Sequence, residues 1–397
     1  MNSKKKNTRE VVGILSLSLI LVSTFSVSAC LPDMLKYYSG YRRASVEMLV
    51  SIPSMVMVVM IAMSPIIGRL VHEKIIICTG LVLIGIAGVI PVFVTEFPIV
   101  MISRMLLGAG IGLVNTRAVS LIGERFDGRQ KVKLMGIRLS MEGLGQAAMT
   151  YIAGLLLVSG WNRAFLVYVA AFFILITYLA FVRDEQIDGN HPSVDAVDSG
   201  TEEASAASAN KISAKEWKKV LCFVFLNGLA VSTTTVISLR VPNLIVDMNF
   251  GSASDSATVL TLSIIAGFGG GMVFGKMMDF LKRHALTFFF AMVVAGLCMI
   301  AACANLVMIA AGAVLCGFFL PSILSYGFHF VSECAPKGAL DTVNAATLVG
   351  CNLGASLTPV FLSGIDRIHD AMVTCFVFYA AVLLVLLIMN KVTRLFS

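Results

Sequence analysis

The sequence predicts an all-α polytopic membrane protein with twelve transmembrane helices arranged as two six-helix bundles. Three observations lead to this fold class. First, 58% of the 397 residues are hydrophobic and only 13% are charged, against roughly 25% charged residues in soluble domains, and the mean hydropathy is +0.90. Second, apolar segments of membrane-spanning length recur along the whole chain. Third, a short charged loop occurs twice, at matching points of the two halves.

Twelve apolar segments are separated by short breaks that contain charged residues, Gly, Pro or Asn. A transmembrane helix needs about 20 mostly apolar residues, and each segment meets that length approximately. We expect helices throughout, because the edge of an open sheet cannot be hydrogen-bonded in lipid. The predicted spans are residues 11–31, 46–68, 75–95, 97–120, 134–158, 164–182, 219–240, 256–278, 285–304, 306–330, 342–364 and 371–391.

The first segment has a second interpretation. Lys4 to Lys6, the apolar run that follows and the small residues before Cys30 are typical of a bacterial lipoprotein signal, in which Cys30 would carry the lipid. Removal of this segment would leave eleven spans. The two halves would then no longer match as an internal repeat. We therefore interpret it as an uncleaved first helix.

The middle of the chain changes composition abruptly. Residues 183–218 are rich in Asp, Glu, Ser, Ala, Gly and Asn, and no apolar periodicity survives there. Such a segment cannot bury enough apolar surface to fold alone, so we predict a disordered linker. The predicted organisation is an N-terminal bundle over 1–182, a cytoplasmic linker over 183–218 and a C-terminal bundle over 219–397.

Positive charge predicts the orientation. With the N-terminus inside, 21 Lys and Arg residues fall in the loops and tails of one side and six on the other, and cytoplasmic loops are the ones that retain Lys and Arg. We therefore predict a multi-pass protein of the cell membrane with both termini in the cytoplasm. This bias accounts for the net charge of +7, so no nucleic-acid partner is needed.

The duplicated loop indicates the class of protein. Gly275 to Arg283 lies between two apolar segments, and a weaker copy, Gly68 to Lys74, lies 207 residues earlier. Pro32 and Pro242, each at the predicted end of a span, are offset by 210 residues. Matching landmarks in two halves are typical of a transporter built from two related bundles.

These residues also carry a resemblance to a known family. Gly275 and Asp279 match the glycine and the acid of a loop signature of the major facilitator superfamily, and Arg104 to Gly110 resembles its fourth-helix motif. The chain resembles that family over essentially its whole length. In the weaker copy Gly68 matches, but His72 stands where the acid is usual, so we expect a weaker or pH-sensitive latch there. The resemblance implies secondary transport by alternating access.

Charged residues inside the predicted spans need a reason, because each costs about 2.5–3.5 kcal/mol in lipid. Arg138 and Glu142 are four residues apart and can pair on one helical face, which leaves Arg117 without an obvious acid. In one interpretation Arg117 and Arg138 face a central cavity and bind an anionic group. In the other they lock the cytoplasmic ends of the fourth and fifth helices.

Glu142 is, on the predicted limits, the only carboxylate well inside a span, which makes it the candidate for proton coupling. A permanent ion pair with Arg138 would make it structural instead. By resemblance, Arg104 relays protons or organises the contact between the fourth and first helices; the alternative is a buried arginine satisfied by backbone carbonyls. Among the remaining polar residues we expect Asn115, Asn227 and Tyr326 to contact substrate, because Ser and Thr in membrane helices more often bond backbone.

No phosphate-binding loop, catalytic triad or metal-ligand spacing occurs, and the nine cysteines lie mostly inside predicted spans. We therefore expect no enzyme activity, no metal and no cofactor. The sequence favours a monomeric, proton-coupled secondary transporter in the lipid bilayer, with a small organic anion as its substrate. Two alternatives are a proton-coupled multidrug efflux antiporter and a membrane sensor or scaffold that transports nothing.

Overall fold

The computed structural model describes residues 2–126, 128–182, 214–334, 340–368 and 372–393, and these ranges contain helices and no strand. We number the α-helices of the described ranges α1 (Asn2–Leu17), α2 (Leu31–Tyr37), α3 (Arg43–Leu70), α4 (Glu73–Phe93), α5 (Phe97–Arg125), α6 (Gly128–Leu156), α7 (Ala170–Phe181), α8 (Ala214–Asp247), α9 (Ala253–Leu281), α10 (Ala285–Ala302), α11 (Leu306–Cys334), α12 (Leu340–Ile368) and α13 (Thr374–Thr393).

The helices account for the predicted spans. Within the described ranges, ten helical segments are long and apolar enough to cross a membrane. The bent pair formed by α1 and α2 adds an eleventh, and α13 adds the shorter apolar stretch Thr374–Met389. The prediction of an all-α polytopic fold with twelve transmembrane helices is confirmed.

The first span is broken in its middle. Between α1 and α2 the chain forms the short 3-10 segments Ser18–Ile20, Ser23–Phe25 and Ser28–Cys30, and the two parts are bent by 41°. Serine side chains compete for the backbone here; the Ser28 hydroxyl, for example, donates to the carbonyl of Phe25 over 2.5 Å. The helix predicted over 11–31 is therefore interrupted between residues 18 and 30.

The two proline landmarks do not end their helices, contrary to prediction. Pro32 lies in the first turn of α2, where a missing N–H costs nothing. Pro242 lies inside α8, which continues to Asp247. Prolines are tolerated inside membrane helices because neighbouring groups satisfy the freed carbonyls.

The two halves repeat the same packing. In the first half α5 packs against α3 and α4, and in the second half α11 packs against α9 and α10. Glycines permit the closest crossings: a methyl group at Gly80 would lie 3.0 Å from the carbonyl oxygen of Gly110, and one at Gly296 would lie 2.9 Å from that of Gly312. Close approach of this kind is typical of membrane helix packing.

The halves meet along two seams, α3 against α12 and α6 against α9. We call the side of the molecule that carries the start of α1 and the ends of α5 and α9 the terminal face, and the side that carries Tyr37 and Asp247 the opposite face. The predicted linker lies outside the described residues as far as 213, and residues 214–218 belong to α8. The three domain limits remain a prediction.

Candidate functional site

A cavity of about 680 Å³ lies between the two halves. Helix α6 and Phe25, from the break in the first span, form one wall, and α8, α9 and α11 form the other. Its size is within the roughly 300–1,000 Å³ of small-molecule sites. Most of the lining is apolar, and the polar residues that line it are Ser140, Gln146, Thr150, Thr234, Ser238, Ser263 and Ser325.

The cavity opens toward the terminal face. Near the opposite face α6 and α9 touch, because Gly154 allows close contact with the side chain of Ala257. Toward the terminal face the two helices separate, and Leu139 and Met272, which line the cavity, are 62% and 71% exposed. The crossing of α6 and α9 therefore closes one side of the cavity and leaves the other accessible.

An ion cluster closes the opposite face at the seam between α3 and α12. We call it the closing cluster, and its members are Arg43 and Glu47 of α3, Arg240 of α8 and Asp366 of α12. Arg240 Nε lies 2.9 Å from Glu47 Oε1, and Arg240 Nη2 lies 2.7 Å from Asp366 Oδ2. Arg43 Nε lies 3.2 Å from Glu47 Oε1. Glu47 is 0% and Arg240 2% exposed, so the cluster is a buried link between the halves.

The sequence interpretation missed this cluster. Glu142 is not the only carboxylate inside a span, because Glu47 is buried in the first turns of α3. Arg240 stands at the predicted end of the seventh span, next to the loop, whereas α8 continues past it. One signal was available: Arg43 and Glu47 have the same four-residue spacing as Arg138 and Glu142, which is typical of an ion pair on one helix.

The structure brings together Asn115, Arg138 and Glu142. Arg138 Nη2 lies 2.7 Å from Glu142 Oε1 and donates a hydrogen bond of 2.7 Å to Asn115 Oδ1, which joins α6 to α5. The i, i+4 ion pair thus forms as the spacing predicts. These three side chains lie beside the cavity rather than in its lining, although Leu139 and Gly143, the next residues along α6, do line it.

Arg117 lies elsewhere, toward the terminal end of α5. Its Nη2 occupies the space that a side chain at Gly68 of α3 would need. Among the described residues it makes no ion pair or side-chain hydrogen bond. The structure therefore separates Arg117 from Arg138 and packs it against the weaker copy of the duplicated loop.

The acid in that copy is Glu73 rather than residue 72. His72 is exposed and precedes α4, while Glu73 Oε1 lies 3.6 Å from Arg125 Nη2. Arg125 also pairs with Glu10 of α1. Burial acts to lower the pKa of Arg125, but the hydrogen bond to Glu10 and the charge of Glu73 outweigh it, so the pKa is raised. This latch joins three helices of the first half.

The copy with the better sequence match is solvent-exposed. Gly275 lies within α9, and a side chain there would meet no atom within 4 Å. Asp279 is exposed and makes no ion pair or hydrogen bond with another described residue. In this conformation the weaker copy is packed and the stronger copy is free.

Arg104 is completely buried and braces the broken first span. Its Nε donates to the carbonyl of Leu49 over 2.8 Å, and its Nη2 donates to the carbonyl of Thr24 over 2.8 Å. Its Nη1 donates to the Tyr168 hydroxyl, which in turn donates to the carbonyl of Ser23. The guanidinium therefore donates to carbonyls of two neighbouring spans. This agrees with the alternative that Arg104 is a buried arginine satisfied by backbone carbonyls.

Asn227 and Tyr326 lie together in the second half. The Asn227 amide is buried against Gly327 of α11, and neither its nitrogen nor its oxygen has a hydrogen-bond partner in the described structure. The ring of Tyr326 stacks on Phe330 with centroids 6.3 Å apart. Neither residue belongs to the described lining of the cavity, so their contact with substrate remains a prediction.

Comparison with known proteins agrees with this architecture. The model of the Major Facilitator Superfamily matches residues 13–359. No curated protein sequence is significantly similar to the chain.

Several solved structures share the fold. A point mutant of the nucleoside transporter NupG is 13% identical with a TM-score of 0.68, and the match covers 99% of this chain and 100% of that one. The inward-open xylose transporter XylE from E. coli is 13% identical with a TM-score of 0.71, covering 97% and 95%. A POT family transporter in complex with a thioalcohol-conjugated peptide is 13% identical with a TM-score of 0.73, covering 97% and 96%.

Proposed function

The chain belongs to the major facilitator superfamily, and we propose that it is a proton-coupled secondary transporter that moves a small organic solute by alternating access. As a member of this family it is a transporter and not an enzyme. We place it as a monomer in the cell membrane, with the terminal face in the cytoplasm. The distribution of Lys and Arg supports that orientation.

One observation carries the proposal: the cavity between the halves is accessible from one face and closed from the other. The Glu47–Arg240 ion pair and the contact of Gly154 with Ala257 close the opposite face. Rocking of the two halves about such a central site is how transporters built from two repeats expose it alternately. A non-transporting sensor is disfavoured, because its cavity should be filled by large side chains.

The substrate's charge is the finer part of the proposal. An organic anion would need a cation that is free to bind it, yet Arg138 is paired with Glu142 and Arg117 packs against Gly68. A cationic drug would need an acid in the lining, and the described lining has none. The cavity therefore supports an uncharged solute better than the anion that the sequence favours, or than the substrate of a multidrug antiporter.

For the coupled proton, Glu142 remains our candidate. It lies next to residues that line the cavity, and its side chain is 15% exposed while it contacts Arg138. A proton on Glu142 would remove its ion pair with Arg138 and leave Arg138 with its hydrogen bond to Asn115. The packing of α6 against α5 would then change. Arg104 is too completely engaged with backbone carbonyls to exchange protons readily, so we give it a positioning role.

The test is uptake into proteoliposomes with an imposed pH gradient, using uncharged solutes, organic anions and cationic dyes. We expect gradient-driven accumulation of an uncharged solute that a protonophore abolishes. Glu142→Gln should lose accumulation but keep solute exchange at equal pH, whereas Glu96→Gln, at an exposed acid, should behave as wild type. Full accumulation by Glu142→Gln would remove Glu142 as the coupling site, and no transport of any solute would contradict the proposal.

A further inference from the structure

We propose that the cavity selects an uncharged, amphipathic solute with an aromatic or similarly flat apolar body, and that Thr150 and Gln146 of α6 recognise its polar group. This inference rests on the proposed transport function, whose binding site it specifies.

The first step concerns charge. No described residue that lines the cavity carries a charged side chain. An ionised ligand moved from water into such a site would lose its hydration without gaining a counter-ion, which is strongly unfavourable. Arg138 and Glu142, each next to a lining residue of α6, already neutralise each other at 2.7 Å. The cavity thus disfavours both anions and cations relative to neutral molecules.

The second step concerns hydrogen bonds. Thr150 is 1% exposed, and its Oγ1 has no hydrogen-bond partner in the described structure although the residue lines the cavity. Gln146, four residues earlier and on the same face of α6, makes no hydrogen bond to a described residue either. A buried polar group without a partner costs about 1–3 kcal/mol. A ligand carbonyl, amide or hydroxyl that pairs with the Thr150 hydroxyl removes that cost, and the Gln146 amide lies on the same face to bond the same group.

Two hydroxyls of the facing wall are already hydrogen-bonded to the backbone. The hydroxyl of Thr234 on α8 already donates to the carbonyl of Ala230 over 3.1 Å, and that of Ser263 on α9 donates to the carbonyl of Ala313 over 2.8 Å. Both hydroxyls can still accept, but neither can donate without breaking a bond. Among the described residues that line the cavity, only Thr150 has a buried hydroxyl without a partner, and this places the recognition of the ligand's polar group on α6.

The third step concerns shape. Phe25, Phe268 and Phe328 line the cavity together with aliphatic residues. A solute with hydroxyls on every side would leave several of them unpaired against these rings, at a cost similar to that of an unpaired protein group. A flat apolar body with one polar end satisfies both the rings and α6. The cavity of about 680 Å³ has room for a two-ring molecule.

The test uses three probes of the same shape: biphenyl-4-carboxamide, biphenyl-4-carboxylate and biphenyl-4-carboxamidinium. Binding to the purified full chain in nanodiscs is measured by calorimetry without any gradient. We expect the carboxamide to bind at least tenfold more tightly than either ion. Tighter binding of the carboxylate or the carboxamidinium, or no binding of any probe, would overturn the inference.

A pair of matched variants tests the residue assignment. Thr150→Val keeps the shape and removes the unpartnered hydroxyl, so carboxamide affinity should fall roughly fivefold. Thr235→Val removes a buried hydroxyl that lies outside the lining and is already bonded to the carbonyl of Val231 over 2.9 Å, so affinity should change less than twofold. Equal effects of the two variants, with both unfolding at the wild-type temperature, would refute the role of Thr150.

These outcomes separate the inference from the proposed function. Carboxamide binding that is intact without gradient-driven accumulation of any solute would refute transport and keep the site. Gradient-driven transport of an anion, with no binding of the carboxamide, would refute the selectivity and keep transport.

Discussion

Gly68 gives the guanidinium of Arg117 its place at the terminal face. Any side chain at Gly68 would overlap Nη2 of Arg117, so the glycine of the weaker loop copy is needed for packing and not for a turn. Arg117 extends from α5 and lies against the end of α3, and both helices belong to the first half. Arg117, which its place inside a predicted span suggests for substrate binding, instead contacts the weaker copy of the duplicated loop.

We predict that Gly68→Ala displaces Arg117 and destabilises the protein by about 1 kcal/mol, the lower end of overpacking costs, because the end of a flexible side chain can move. Gly275→Ala is the matched control, since no atom lies within 4 Å of the added methyl group. Thermal unfolding in detergent measures both. Arg117→Ala should restore the stability of Gly68→Ala, and equal unfolding temperatures for the two glycine variants would contradict this account.

Arg104 shows what a residue-level interpretation can and cannot reach. Its position in an apolar helix predicts that it is satisfied by something, because an unsatisfied buried guanidinium is too costly. Its partners, the carbonyls of Leu49 and Thr24 and the Tyr168 hydroxyl, are 55 to 80 residues away along the chain. The carbonyl of Thr24, and that of Ser23 to which the Tyr168 hydroxyl donates, belong to the break in the first span, which the sequence interpretation did not include.

At the scale of helices, the closing cluster divides evenly when the halves separate. Arg43 and Glu47 are both on α3, and Arg240 and Asp366 are both in the second half, so each half keeps an ion pair of its own. Only the contact between Glu47 and Arg240 is lost. A buried charge left alone would cost several kcal/mol, so this division makes opening of the opposite face energetically accessible.

We predict that Glu47→Gln shifts the protein toward an open opposite face. The loss of the charged contact should cost about 1.4 kcal/mol, roughly tenfold in the equilibrium, because Arg240 keeps Asp366. The native thiol of Cys375 is a suitable reporter: it is 1% exposed, and it lies three residues after Met372, which contacts Arg43. Maleimide labelling of Cys375, followed by peptide mass spectrometry, should be about tenfold faster in the variant.

The control for this prediction is Glu96→Gln, which neutralises an exposed acid of the first half. Glu96 makes no ion pair with a described residue, so Cys375 labelling should stay at the wild-type rate. A Glu47→Gln protein that labels no faster than wild type would show that the Glu47–Arg240 pair does not hold the opposite face closed.

Local spacing explains which helix features were predictable. The Arg138–Glu142 pair follows from a four-residue interval, and the same interval at Arg43 and Glu47 was equally readable. The contact between Glu47 and Arg240 joins residues 193 positions apart, and no pattern within either helix specifies it. The sequence predicts a weaker or pH-sensitive latch at His72 in the weaker loop copy. In the structure the acid is the next residue, Glu73, which forms an ion pair with Arg125.

At the scale of the whole molecule, composition and repetition were sufficient for the fold. Twelve apolar segments and a duplicated loop predict the architecture because lipid leaves few alternatives to helices. The lining of the cavity was not predictable, since a helix that is apolar on all sides does not reveal which face it turns inward. Thus Asn115 and Arg138 lie beside the cavity, while Gln146 and Thr150 of the same helix as Arg138 line it.

The central claim is that the two faces open alternately about this cavity, and inter-spin distances test it most directly. One pair of labels replaces Arg42 and Asp247 on the opposite face, and another replaces Lys133 and Lys276 on the terminal face, all exposed positions, in a background without native cysteines. We expect the opposite-face distance to lengthen and the terminal-face distance to shorten together when Glu47→Gln is introduced. Distances that stay fixed on both faces, or that lengthen together, would contradict alternating access.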